Sequence, residues 1–152
     1  PSTSSSTSNG SGGTGTTVTY YGAYIRLVNS KNPTFECENE SDLYTTSGSE
    51  NGNKALTYPI GLISLDEAWY AGGYTSNNTS YYLYTGQDYW AMSPCSFNAT
   101  GSYAYVFRVG SNGYLTGSTV DYTFGVRPVV NLKADTQFSA GDGTSETPFV
   151  VS

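Results

Sequence analysis

The chain has 152 residues, enough for one compact domain and a tail but not for two independent cores. Charged residues make up only 12% and apolar ones 37%, with 18 Gly and 15 Tyr, which fits a turn-rich β protein with uncharged polar loops and excludes a helical bundle. The net charge of -6 repels phosphate backbones, and the six cations (Arg26, Lys31, Lys54, Arg108, Arg127, Lys133) are scattered, so nucleic acid is excluded as a partner.

In chain order, "PSTSSSTSNGSGGTGTT" at 1–17 has no apolar residue to bury and reads as a flexible Ser/Thr/Gly linker. Residues 18–152 then form a single domain. The β-branched and aromatic run from Val18 to Val28 predicts a first strand, and "TFECE" at Thr34–Glu38 a second, short one. Asn39–Ala55 is a polar loop with a strand piece at Leu43–Thr46. Ser64 followed by Glu67 makes a capping box, Leu65, Ala68 and Trp69 share a face, and Gly72-Gly73 stops the chain, so a short helix spans Leu65–Ala71.

Tyrosine-rich extended pieces divided by turns follow over Tyr74–Pro94, and "SYAYVFRVGSNGYLTG" at Ser102–Gly117 alternates in the strand period on both sides of a turn, predicting a hairpin. "FGVRPVVNL" is a further strand, and a turn at Gly141–Thr144 leads into a final short one. No apolar run approaches the roughly 20 residues of a membrane helix, so any signal or anchor is expected upstream.

With no His, a Ser-His-Asp or Cys-His arrangement and a His-based metal site are excluded within the chain. The carboxylates Asp42, Asp66, Glu67, Asp88 and Asp121 each have a simpler place in a helix first turn, a loop or beside a turn, so no enzyme activity is expected. "GDGTSE" offers Asp142 and Glu146 without the D-x-[DN]-x-[DN]-G pattern of a calcium loop, which predicts a plain turn, and neither metal nor cofactor is expected. Arg127, flanked by apolar residues, needs Asp66, Glu67 or backbone oxygens as partners, and Trp69 and Trp90 read as core anchors. Cys37 and Cys95 permit one disulfide closing a long loop, worth about 3–4 kcal/mol; the alternative is two separate thiols.

Along "SYAYVFRV", Ala104, Val106 and Arg108 share one face and Tyr103, Tyr105 and Phe107 the other. If the small residues pack inward, the three rings turn outward and form an uncharged aromatic platform with Tyr114, Ser111 and Asn112. The opposite assignment puts the rings inside and Arg108 outside.

"LISLDEAWYAGG" resembles the helix-opening segment of the formylglycine-generating-enzyme branch of C-type-lectin-like folds, and "YWAMSP", the strands around "SNG" and "FGVRPVVNL" follow the order of that fold. The stretches "SYYLYTGQDYWAMSP" and "SAGDGTSETPFVV" also resemble uncharacterised domains on secreted or pilin-like surface proteins of Gram-positive gut bacteria. The resemblance implies an α+β, mostly β fold with short strands, one short helix near 65–71 and N- and C-terminal strands that pair, with late strands and loops forming a ligand face. Proteins diversified by retroelements vary that face, which here matches Tyr89 to Tyr122. The active-site cysteines of the enzyme branch have no counterpart around Gly125–Val130, and the Glu-Pro-Asn and Trp-Asn-Asp motifs of calcium-dependent lectins are missing.

The expected function is a non-catalytic, extracellular, adhesin-like domain displayed at a cell surface. It recognises a glycan or a protein there through Tyr89, Met92, Phe97, Tyr103, Tyr105, Phe107, Asn112, Tyr114 and Tyr122. The alternative is a structural minor-pilin or surface-assembly subunit, in which the tyrosines make subunit contacts in a filament.

Overall fold

The computed structural model describes residues 3–5, 18–37, 40–144 and 146–151. The chain is mostly β, with short helical pieces and antiparallel sheets. Five strands make the main sheet in the order β1 (Thr3–Ser5), β2 (Val18–Tyr21), β4 (Tyr89–Asn98), β5 (Tyr103–Val109) and β6 (Leu115–Thr119). Two smaller sheets pair β3 (Ile60–Leu62) with β7 (Pro128–Val130), and β8 (Phe138–Ala140) with β9 (Val150–Val151). Residues 3–5 of the expected linker pair with β2, Thr3 opposite Tyr21 and Ser5 opposite Thr19; the rest of 1–17 lies outside the described residues.

The strand expected over Val18–Val28 ends at Tyr21, and the chain turns into a wide π-helical turn at Tyr24–Asn29. Ala23 and Leu27, four apart, lie on one face of this turn and both enter the core. No strand forms over 34–37 or at Leu43–Thr46, while Glu38 and Asn39 lie outside the described residues. The polar stretch is braced by its own side chains instead: Asn53 Nδ2 donates to the Thr45 carbonyl (2.8 Å), Asn53 Oδ1 accepts from the Thr45 amide (2.9 Å), and the Leu56 amide donates to the Thr46 carbonyl.

Helix α1 (Leu65–Tyr70) begins as expected. Ser64 Oγ accepts from the Glu67 amide (3.2 Å), and Glu67 Oε2 accepts from the Ser64 amide (2.8 Å), satisfying two donors that a helix start leaves open. Leu65 and Ala68 are fully buried, and with Leu27 they cover Tyr89, Ala91, Phe107, Val109 and Leu115 on one face of the main sheet.

The hairpin over Ser102–Gly117 also forms, with β5 and β6 paired from Tyr105–Thr119 to Val109–Leu115. Its turn requires glycine at position 113, where φ is +78° and a Cβ would overlap the Asn78 carbonyl oxygen. The expected outward platform does not form as drawn, because Phe107 is 1% exposed and stacks toward Tyr24 of the π-helical turn (6.4 Å between rings). The core takes the larger apolar side chains, and Ala104, Val106 and Arg108 line the other face.

Two further expectations are corrected. The C-terminal strand β9 pairs with β8 and the N-terminal β1 with β2, so the described terminal strands do not pair with each other. The Cys37–Cys95 disulfide is not formed: Cys95 is buried in β4 with its sulfur beneath Gly117, whereas Cys37 is exposed on the loop before the 3-10 turn at Glu40–Asp42.

Burial pushes the Cys95 thiol up to about 11, a rise only partly offset by its hydrogen bond with Ser96. The folded chain therefore holds this proton more tightly than the unfolded one. The resulting stability is fully present below the ordinary thiol value of 9.0 and is lost as pH rises through about 11. Tyr81, raised chiefly by burial, acts in the same direction. At pH 8 without reductant, a thiol reagent is expected to modify the exposed Cys37 quickly and Cys95 only after denaturation; two protected thiols, or none in the denatured chain, would contradict this.

Candidate functional site

A cleft of about 490 Å3 opens where the π-helical turn, α1, the 33–37 segment, the 40–56 loop and the middle of β4 meet. Its size is that of a small organic ligand. The segment at 33–36 is fastened to α1 at three points: Tyr70 Oη donates to the Pro33 carbonyl (2.9 Å), Phe35 stacks on Tyr70 (4.4 Å), and the Thr34 amide donates to Asp66 (3.0 Å). Asp66 is only 4% exposed, and its carboxylate also accepts from Arg26 Nη2 (2.7 Å) and Nε (3.3 Å). This fork-on-carboxylate geometry fixes the guanidinium at the cleft wall.

The opposite wall is Tyr44, 47% exposed, whose hydroxyl donates to the Ile60 carbonyl (3.1 Å). Gly61 permits that position, since a Cβ there would lie 3.1 Å from the Tyr44 ring and 3.3 Å from the Met92 methyl. The floor is supplied by β4, where register shifts between Trp90 and Pro94 and between Pro94 and Ser96 make room for a proline in an interior strand. These irregularities leave Met92, Ser93 and Pro94 all facing the cleft, and the Ser93 hydroxyl accepts from the Leu65 amide (2.9 Å) to hold α1 against the strand. A second cavity of about 230 Å3, lined by Thr45, Thr46, Leu56, Glu67 and Asn131 among others, shares Tyr44 and Met92 with the first.

Of the nine expected contact residues, Met92 lines the cleft. Tyr89 and Phe107 are core residues, and Tyr89 Oη donates to the Leu83 carbonyl. Phe97 and Tyr105 are half-buried, and Tyr103 is exposed at the sheet's far end. Asn112 donates to Asn77 (2.8 Å) within the turns beside the hairpin. Tyr114 and Tyr122 lie with Trp90 and Phe124 around Arg108: Tyr122 and Phe124 stack in parallel (5.8 Å), Trp90 meets Phe124 edge-on (4.9 Å), and the guanidinium lies 4.8 Å from the Phe124 ring centre. Arg108 lies on the outer face of the sheet, as the opposite assignment has it, but it is largely covered, and Asp88 and Ser118 hold it. Trp90 is thus half-buried on this outer face, not a core anchor, whereas Trp69 packs against the core.

Arg127 does find a backbone oxygen, donating to the Leu83 carbonyl (2.9 Å) while lying over the Tyr89 ring. It is Arg26, not Arg127, that pairs with Asp66. Asp142 accepts from Thr147 Oγ1 and the Thr144 amide, an ordinary turn-bracing role, and those bonds hold its carboxyl down to about 2. Among the described residues, no cluster of three or more Cys, Asp and Glu is placed to hold a metal.

Sequence reasoning missed Arg26, Phe35, Tyr44 and Asp66 as one site because they are far apart in the chain and converge only through the fold. The one signal pointing that way was the density of Asn and Ser in the 39–55 loop around its single tyrosine, Tyr44. Comparison with protein-family models, curated proteins and solved structures finds no match to this chain.

Proposed function

We propose that this chain is a non-catalytic, cell-surface, adhesin-like domain that binds a neutral glycan in the cleft between the π-helical turn, α1 and the 40–56 loop. The observation that carries this reading is the convergence of a fixed Arg26–Asp66 pair with the Ser64 and Ser93 hydroxyls and the rings of Tyr21, Phe35 and Tyr44 around one cavity. A pyranose presents partly positive C–H faces that suit the negative face of an aromatic ring, and hydroxyls that both donate and accept. A paired cation and carboxylate offer it donor and acceptor side by side. Glu36 adds a negative charge to a wall whose Arg26 is already neutralised, so an acidic ligand is disfavoured. The groups are held in place before binding, which lowers the ordering cost.

The resemblance to C-type-lectin-like surface domains and the Ser/Thr/Gly-rich first 17 residues are in keeping with extracellular display. The test is an array of neutral hexose and N-acetylhexosamine glycans alongside sialylated and sulfated ones. Neutral glycans are expected to bind, with Phe35→Ala weakening them up to about tenfold while lowering the melting temperature by no more than a few degrees, since the Pro33 and Thr34 hydrogen bonds still hold the segment. Retention of acidic glycans alone, or of none, would sink the proposal.

One observation favours the second reading, a surface-assembly subunit. Every residue of β8 and β9 is exposed, and Phe138, Phe149, Val150 and Val151 give that hairpin an apolar surface beside unpaired strand edges. Concentration-dependent assembly abolished by Val150→Lys would support it; a monomer at all concentrations would not.

A further inference from the structure

We infer that the glycan site has two subsites divided by Tyr44, so that the ligand is a disaccharide or longer. This rests on the glycan reading of the cleft. The two cavities, of about 490 and 230 Å3, have Tyr44 and Met92 in common, so that side-chain pair is a wall of both. The wall is held in place: Tyr44 Oη is tied to the Ile60 carbonyl, and Gly61 lets the ring and the Met92 methyl close on the β3 backbone. A single sugar in the larger cavity meets Arg26, Asp66 and Phe35, but leaves the smaller cavity to water. That smaller cavity offers the Thr45 and Thr46 hydroxyls, the Glu67 carboxylate and the Asn131 amide, again donors and acceptors together, around an apolar floor of Leu56, Leu62 and Val129. A chain of two units crossing the exposed edge of Tyr44 fills both and stacks on the ring between them.

The experiment is titration calorimetry on the whole chain, using the best monosaccharide from the neutral glycan array and di- and trisaccharides that contain it. The wild-type protein is expected to gain about tenfold in affinity from mono- to disaccharide and little beyond. Thr46→Trp, on an exposed loop position, and Asn131→Trp, entering from beyond β7, each fill the smaller cavity without touching the larger one. Both should leave monosaccharide affinity unchanged and reduce the disaccharide to the monosaccharide level. Equal wild-type affinity for mono- and disaccharide, or a disaccharide gain that survives both variants, overturns the two-subsite inference and leaves the cleft reading standing. If no saccharide binds the wild-type chain, the cleft reading itself fails and this inference with it.

Discussion

Phe107→Ala is expected to cost about 3–5 kcal/mol of folding stability, the amount typical of deleting a fully buried ring. Phe107 is 1% exposed and lies in one cluster with Val109, Leu115, Leu27 and Leu65, so its removal leaves a cavity between the main sheet and the helical layer that covers it. For a chain of this size the loss corresponds to a fall in melting temperature of roughly 10–20 °C. The control is Tyr103→Ala on the same strand. Tyr103 is 51% exposed and should change stability by less than about 1 kcal/mol. Thermal denaturation of the two variants decides which face of β5 is core. Equal, small effects would mean that Phe107 is not the packing residue described here.

The second large effect concerns Arg26 and Asp66. Arg26→Ala leaves a carboxylate that is 4% exposed with the Thr34 amide as its one remaining partner among those described, an uncompensated charge expected to cost about 3 kcal/mol. The cost is asymmetric. The double variant Arg26→Ala with Asp66→Ala removes the stranded charge as well and should be more stable than Arg26→Ala alone, so the cycle reads out a coupling between the two sites. The same variants separate stability from binding: the double variant should fold and yet lose the neutral glycan, because both hydrogen-bonding groups are gone from the cleft wall. Strict additivity of the two single effects would show that the pair does not interact as drawn.

The elements legible in the sequence were those whose signals are local. The capping box Ser64–Glu67, the glycine-bearing turn of the β5–β6 hairpin and the turn before the last strand each rest on contacts within a few residues, and each forms where expected. The run from Val18 to Val28 misled because β-branched and aromatic residues favour a strand without enforcing one; the strand stops at Tyr21 and the chain turns helical, with Ala23 and Leu27 buried against the sheet. The stretch at 34–37 likewise has strand-like residues but takes no strand conformation; Asp66, Tyr70 and the Phe35 stack hold it.

By itself, then, the sequence determined a mostly β chain with little charge, a capped helix and a tyrosine-rich late hairpin, because composition and short-range capping and turn chemistry do not depend on distant partners. Only the tertiary structure decided which face of β5 is inside, because a period of two marks two faces without saying which one another element will cover. It also decided where a ligand can sit. Arg26 and Asp66 are 40 residues apart in the chain, and Tyr44 and Met92 are still further from being neighbours in sequence. Packing of the helical layer and the 40–56 loop against an irregular β4 brings all four around one cleft.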